Sequence, residues 1–290
     1  MSAVAQDFEV RRLGASFFAE VNGLDLSREL DDATFAKAKA AHLQHGVVVF
    51  RDQHLTPEQH IAFSRRFGPL QIHPMSQFNL EGTPEILLIS NDTHPDDRPV
   101  GIPDAGRYWH TDMSYLPEPA LGSLLYARAI PDEGGDTLFA DMTAAYDGLS
   151  ADMKQKLAKL RAVHHFGSRW AREAKQGIRP PQTKEELDRN PPSNHPMVRT
   201  HPETGKNAIY AGGFTIGVEG MPDAEAMELL DWVEKHSTQP KFVHRHKWRL
   251  NDLVFWDNRR AMHLATVYPP EMRRHMHRTT VKGNAPFLRG

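Results

Sequence analysis

The 290-residue chain contains no cysteine, which excludes disulfides, thiolate metal sites and cysteine nucleophiles together. No stretch approaches the ~20 apolar residues of a membrane span. The opening, MSAVAQDFEVRRLG, lacks the apolar run of a secretory signal. An excess of charge is missing too: 35 Lys and Arg stand against 37 Asp and Glu, a net of −2, so no basic footprint suggests nucleic acid. Repeats and low-complexity tracts are likewise absent. These absences leave a soluble, cytoplasmic protein as the expectation, with neither membrane nor nucleic acid among its partners. The length is large for one ordinary domain but not for an all-β barrel.

What is present reads as strands with a few helices. FEVRRLGASFFAEVNG is strand-like, an Ala-rich helix runs from about Asp32 to His45 and stops at Gly46, and the apolar run VVVF (47–50) suits a strand buried on both faces. Thr56, Pro57 and Gln59 supply the N-cap, first-turn proline and capping-box glutamine of a helix that ends near Gly68. Helices are also expected from Ser150 to about Arg161 and from Asp223 to about His236, each with apolar residues at helical spacing. Strand-like runs at 86–90, 123–130, 136–142, 207–212, 252–257 and 273–281 are separated by turn signals. Segments 91–107 and 176–196 are rich in Pro, Gly and Asp, yet strands resume after each, so they read as surface excursions. The expected architecture is a single domain over 1–290, mainly β with flanking helices, in barrel or jelly-roll form, with lid-like excursions at about 73–107 and 166–196.

Strand alternation in RRHMHRTTV (273–281) puts Arg274, Met276 and Arg278 on one face and Arg273, His275 and His277 on the other. If the first face points inward, two guanidiniums lie in a dry place, where an unpaired cation costs several kcal/mol and each requires an anion. The alternative is an edge strand with both arginines in water. In YWHTDMSY, His110 and Asp112 are one residue apart, so an extended segment projects both the same way, as adjacent ligands of one metal need. His94-Pro95-Asp96 repeats that spacing in a turn-like stretch, so the pattern alone is weak. A third ligand must come from a distant strand. His263, just beyond DLVFWD, is the candidate, with His164, His165, His201, His244 and His246 as rivals. Two His and one carboxylate suit non-heme Fe(II) oxygenases and also some zinc hydrolases. Arg274, one strand beyond His263, favours the first, because an oxoacid cosubstrate presents a carboxylate for a bidentate grip and a hydrolase needs none.

The order H-x-D, GGDTLFADMTAAYDGL, WDNRRAMH, R-x-x-x-R, with LGASFFAEVNGLDL, AFSRRFGPLQIHP and NAPFLRG around it, resembles the TauD/TfdA family over nearly the whole chain, the taurine branch above all. The resemblance implies a double-stranded β-helix, the cupin-like jelly roll. It also implies an oxidoreductase, a dioxygenase that uses Fe(II), 2-oxoglutarate and O2, hydroxylates a C–H of a small organic anion and releases succinate and CO2. By the resemblance, His110, Asp112 and His263 bind iron, Arg274 and Thr137 bind 2-oxoglutarate, and Arg278 and His73 bind the anionic head of the substrate. Trp170, Phe214 and Tyr115 are candidate pocket walls. Ala105 and Gly106, with Arg107 beside them, stand where taurine enzymes hold the substrate amine. The expected substrate is therefore an anion with an apolar or aromatic body: an alkyl- or arylsulfonate, then an aryloxyalkanoate, then an alkyl sulfate ester. A zinc-dependent hydrolase with the same ligands, or a non-catalytic binding protein on the same barrel, are the alternatives. Self-association to a dimer or tetramer is expected from the family.

Overall fold

Continuous apolar runs mark the middle of a large sheet. In the computed structural model, which describes residues 3–14, 17–168, 183–185 and 191–289, that sheet has eight strands. Their order is β1 (Glu9–Leu13), β2 (Phe18–Asn22), β3 (Val47–Phe50), β14 (Leu253–Asp257), β6 (Ala120–Ala129), β16 (His275–Lys282), β5 (Thr83–Ser90) and β4 (Asn79–Leu80). Neighbours are antiparallel except β2 with β3. Every residue of β3 and β14 is buried, which is why neither alternates polar with apolar.

Across from it lie β13 (Val243–His246), β7 (Thr137–Asp141) and β15 (Ala261–Ala265) in one small sheet, and β12 (Thr215–Val218), β8 (Arg161–His164) and β9 (Ser193–Pro196) in another. A hairpin of β10 (Val198–Thr200) and β11 (Asn207–Ile209) completes the described strands. Val49, Leu125, Trp256 and Met276 of the large sheet pack against Phe139 and Ala261 of the small one. Outside the large sheet, α1 (Asp32–His45) and α2 (Pro57–Arg65) cover Val48, Phe50 and Phe255. The core on the small-sheet side takes residues of α3 (Met142–Asp147), α4 (Ala151–Ala158) and α5 (Asp223–Ser237). Facing sheets with helices outside make the expected jelly roll. Among the described residues no helix is long and apolar enough to cross a membrane.

Several boundaries differ from expectation for local reasons. FEVRRLGASFFAEVNG is two strands, not one: β1 and β2 pair from Glu9↔Asn22 to Leu13↔Phe18. The Thr56 capping box forms as read. The helix from Ser150 stops at Ala158 because Arg161 already belongs to β8. Met142 opens α3 and does not end a strand, since the Asp141 carboxylate accepts from the Thr143 and Ala144 N–H groups and caps the helix. The stretch 73–107 is not one excursion, because Thr83–Ser90 is a strand of the large sheet; 91–107 is turns and bends with an isolated bridge from Thr93 to Pro99. Of 166–196, residues 169–182 and 186–190 lie outside the described residues, and Ser193–Pro196 is β9.

Candidate active site

His110 and His263 meet because their backbones bridge, each N–H donating to the other's carbonyl at 3.0 and 2.8 Å. His263 lies just beyond the DLVFWD strand, as read, and within the next one, β15: the chain leaves the large sheet after Asp257, turns through 258–260 and enters the small sheet. Asp112 sits in a turn, not in an extended segment, and Met113 after it has φ +55°. The Thr111 hydroxyl ties this turn to the Ala261 carbonyl at 3.2 Å.

His110 Nε2 is 3.8 Å from Asp112 Oδ1, His263 Nε2 is 3.9 Å from Asp112 Oδ2, and the three ligand atoms lie within 4.8 Å of one another. Those gaps are too wide for hydrogen bonds and suit donors converging on one ion. The Tyr108 carbonyl, 2.8 Å from His110 Nδ1, accepts that nitrogen's proton and leaves Nε2 bare. Burial pushes both imidazoles below their ordinary pKa, so both are neutral and offer lone pairs. Burial opposes ionisation of Asp112, but Arg278, then His263 and His110, outweigh it and hold the carboxyl below its usual range. Two neutral imidazoles and one carboxylate fit a divalent metal. Among the described residues no other His/Asp/Glu trio converges this way. Of the rival histidines, His164 bonds Ser114, His201 bonds Asp257 and His244 stacks on Phe18, while His94 and Asp96 lie in an exposed turn.

The carboxylate is aimed by Ser123 and Asn258, which motif reading missed, and by Arg278, read there only as a substrate residue. Ser123 of β6 donates to Asp112 Oδ2 at 2.7 Å, and Arg278 Nη1 donates to Oδ1 at 2.9 Å. The Asn258 side chain accepts from the Asp112 N–H (3.2 Å) and Trp256 Nε1 (3.0 Å) and donates to Ser123 (3.3 Å). All of WDNRRAMH is a pinned corner. Asp257, fully buried, accepts from Arg259 at 2.8 and 2.7 Å and from His201 at 2.9 Å, while Arg260 reaches Asp141 at 3.3 Å. Removing one partner of such a buried pair costs about 3–5 kcal/mol, so the corner that delivers His263 is stiff. Its signal in the sequence was charge inside an otherwise apolar run.

One cleft is lined by His110, His263, Thr137, Arg274 and Arg278, with Leu125, Trp256, Ala105 and Gly106. Arg274 is 4% exposed and faces the Tyr268 ring at 5.9 Å; among the described residues no carboxylate lies within ion-pair distance of it. Burial pulls its pKa down to about 10, so it stays cationic at neutral pH. Asn91 fixes it: the amide oxygen accepts the Arg274 N–H at 2.8 Å and the amide nitrogen donates to the Met272 carbonyl at 2.8 Å. The Thr137 hydroxyl accepts from Trp248 Nε1 at 3.0 Å, which leaves its proton for an acceptor in the cleft.

Arg278 shares the inward face with Arg274, and one anion is already inside the protein: the Asp112 carboxylate. Its Nε is buried without a hydrogen-bond partner. On the outward face of β16, His275 Nδ1 bonds Asp92 at 2.7 Å and its Nε2 meets His277 Nε2 at 3.1 Å. His73 is half-buried, and burial, then Arg278, pulls its pKa down to about 4, so it is neutral at pH 7. Phe214 stands edge-on to His110 at 5.8 Å and to Tyr115 at 5.0 Å, and Tyr115 edge-on to Phe166 at 5.0 Å. Beyond Tyr115 a cavity is lined by Pro74, Leu116, Pro117, Phe166, Pro191, Pro192 and Ser193. Trp170 lies outside the described residues.

Gly106 carries a first prediction. A Cβ there would fall 2.9 Å from His110 Cε1, and the residue has φ +74°. Gly106→Ala is expected to strain the loop by about 1–2 kcal/mol and to tilt the His110 ring. Metal affinity should then fall by about tenfold or more while the melting temperature drops by only about 2–4 °C. Equilibrium dialysis against Co(II) and a thermal melt read the two quantities.

Fold and donor set together define a metal site on a jelly roll, and the buried Arg274 beside it suits a non-heme oxygenase better than a hydrolase. The family described as "Taurine catabolism dioxygenase TauD, TfdA family" matches residues 9–280. The chain is 34% identical over 279 residues to the (S)-phenoxypropionate/alpha-ketoglutarate-dioxygenase of Sphingobium herbicidovorans, spanning 96% of each. It is 36% identical over 281 residues to the alpha-ketoglutarate-dependent 2,4-dichlorophenoxyacetate dioxygenase of Cupriavidus pinatubonensis, spanning 93% of this chain and 96% of that one. The crystal structure of AAD-2 with Mn(II) and N-oxalylglycine superposes with TM-score 0.83 at 33% identity, covering 97% of this chain and 100% of the other. The chain belongs to the TauD/TfdA family. It is a 2-oxoglutarate-dependent dioxygenase, with Fe(II) as its metal and 2-oxoglutarate and O2 as cosubstrates, and the hydrolase and binding-protein alternatives gain no support.

Proposed function

We propose that the whole chain works as one catalytic domain. In it His110, Asp112 and His263 hold Fe(II), and Arg274 with Thr137 takes the distal carboxylate of 2-oxoglutarate. Arg278 and His73 take the head of a small anion whose body lies against Tyr115 and Phe214. Bound there, iron supplies oxygen activation at the expense of 2-oxoglutarate, which leaves as succinate and CO2. The protein's own part is placement. Arg274 offers a planar fork to a carboxylate, Thr137 adds a hydroxyl, and Arg278 with neutral His73 fixes which substrate C–H faces the ligand trio. The observation that carries this reading is Arg274, a cation at neutral pH buried on the cleft of the trio with no carboxylate partner among the described residues.

Within that reaction an aryloxyalkanoate is the best-supported substrate, moving ahead of the sulfonates that the sequence ranked first, with alkyl sulfate esters still last. Tyr115, Phe214 and Phe166 meet edge to face beside a proline-rich cavity, a surface suited to an aryl ring. The two dioxygenase relatives are named for phenoxypropionate and 2,4-dichlorophenoxyacetate. Ala105 and Gly106 line the cleft and offer an ammonium neither charge nor amide side chain. Hydroxylation of the carbon beside the ether oxygen gives a hemiacetal, which collapses to a phenol and a carbonyl acid.

The test is an anaerobic Fe(II)–2-oxoglutarate spectrum titrated with phenoxy acids, sulfonates and sulfate esters. A phenoxy acid is expected to perturb the metal-to-ligand band and then couple phenol to succinate one for one. Coupling to a sulfonate or sulfate ester, with phenoxy acids silent, would overturn the substrate class. Arg278→Ala is expected to raise the phenoxy acid's KM about thirtyfold or more, and to lower kcat because Asp112 loses a donor. An unchanged KM would remove Arg278 from the substrate site.

A further inference from the structure

We propose that His195 is a positioning residue for the substrate pocket: with Ser193 and His164 it clamps residues 114–116 from the facing small sheet and so fixes the wall that Tyr115 presents. The inference rests on Tyr115 being that wall, as in the proposed function. The segment needs holding. Met113 is buried in a left-handed conformation that a side chain adopts only where its surroundings impose it. Leu116 N–H closes the turn on the Met113 carbonyl at 2.9 Å, and three side chains grip residues 114 to 116. His164 Nδ1 meets the Ser114 hydroxyl at 3.0 Å, the Ser193 hydroxyl donates to the Tyr115 carbonyl at 2.8 Å, and His195 Nε2 donates to the Leu116 carbonyl at 3.0 Å.

These grips share one origin. His164 is opposite Ser193 in the β8–β9 pair, and His195 lies two residues on, so all three project from the same face. Each is buried, and the Tyr210 ring packs behind both imidazoles at 5.5 and 5.9 Å. A carbonyl can only accept, so His195 carries its proton on Nε2. His195 belongs neither to the ligand trio nor to the Arg274 cleft. Loss of its bond releases the Leu116 carbonyl beside Tyr115 and leaves His110, His263 and Arg274 in place. The result is a defect confined to the primary substrate.

The experiment is steady-state kinetics on the iron-loaded enzyme with 2,4-dichlorophenoxyacetate as probe. His195→Ala is expected to raise the probe's KM about tenfold, with the 2-oxoglutarate KM and the anaerobic Fe(II)–2-oxoglutarate band unchanged. His195→Gln, whose amide N–H replaces the Nε2 donor, is expected to restore KM to within about threefold of the parent. An unmoved probe KM, both KM values rising together, or a Gln variant no better than Ala would overturn the clamp. Ser193→Ala removes the neighbouring bond at little cost to packing and is expected to show the same split; it carries the test should His195→Ala not fold. Tyr115→Ala separates the two readings. If it leaves the probe's KM unmoved, the wall assignment fails; if it raises KM and His195→Ala does not, the clamp alone fails.

Discussion

Arg274→Ala is expected to raise the 2-oxoglutarate KM by about two to three orders of magnitude and to leave the primary-substrate KM nearly unchanged. The size follows from burial: in the complex, one carboxylate of the cosubstrate would be desolvated with its partner removed, and the loss includes the cost of stranding it. Stability is expected to move the other way. Arg274 has no carboxylate partner among the described residues, so truncation removes a buried, unpaired charge, and the melting temperature of the metal-free protein should hold or rise. Its pH dependence has a definite sign. Burial lowers the guanidinium pKa to about 10, so the charge that penalises the folded state is fully present below that value and is relieved as pH rises through it. Cosubstrate binding should weaken over the same rise. Succinate release measured against 2-oxoglutarate concentration decides the matter. A variant that needs more primary substrate and no more 2-oxoglutarate would refute the assignment.

His110→Ala is expected to abolish Fe(II)-dependent succinate formation, a fall of about a thousandfold or more, with the fold intact. One of three donors disappears, and Nε2 of His110 has no substitute nearby, because no other His/Asp/Glu trio converges among the described residues. The backbone bridge to His263 uses main-chain atoms and survives the substitution, so β15 keeps its place. Circular dichroism should therefore overlay that of the parent while Co(II) binding is lost. Turnover at the parent rate would remove His110 from the metal.

What could be read from the sequence depended on whether a residue's role was local. The capping box at Thr56 and the stop at Gly46 are local, and both helices formed where those signals stand. VVVF disclosed its burial because a strand covered on both faces reads as an unbroken apolar run. That Arg274, Met276 and Arg278 share a face followed from a period of two, and the structure turns that face inward. Short polar strands gave no such signal: VHRH and SNHP alternate nothing recognisable, and six-residue α3 is too short for periodicity. Ser123 was only the first residue of the strand-like run 123–130, and its bond to Asp112, 11 residues earlier, is made only once β6 is laid against the site. Nor could sequence disclose that Arg278 spends one nitrogen on Asp112, since that pair is 166 residues apart.

The two sides of β16 hold different chemistries, guanidiniums toward the cleft and linked imidazoles toward Asp92. A single residue gained or lost near its start would exchange them, turning His275 and His277 toward the metal site and moving Arg274 and Arg278 to the face where Asp92 is the anion at hand, away from the cleft. Changes in length in this part of the chain can therefore be survived only in pairs, and a designer grafting new specificity onto this scaffold must preserve that parity before choosing any side chain.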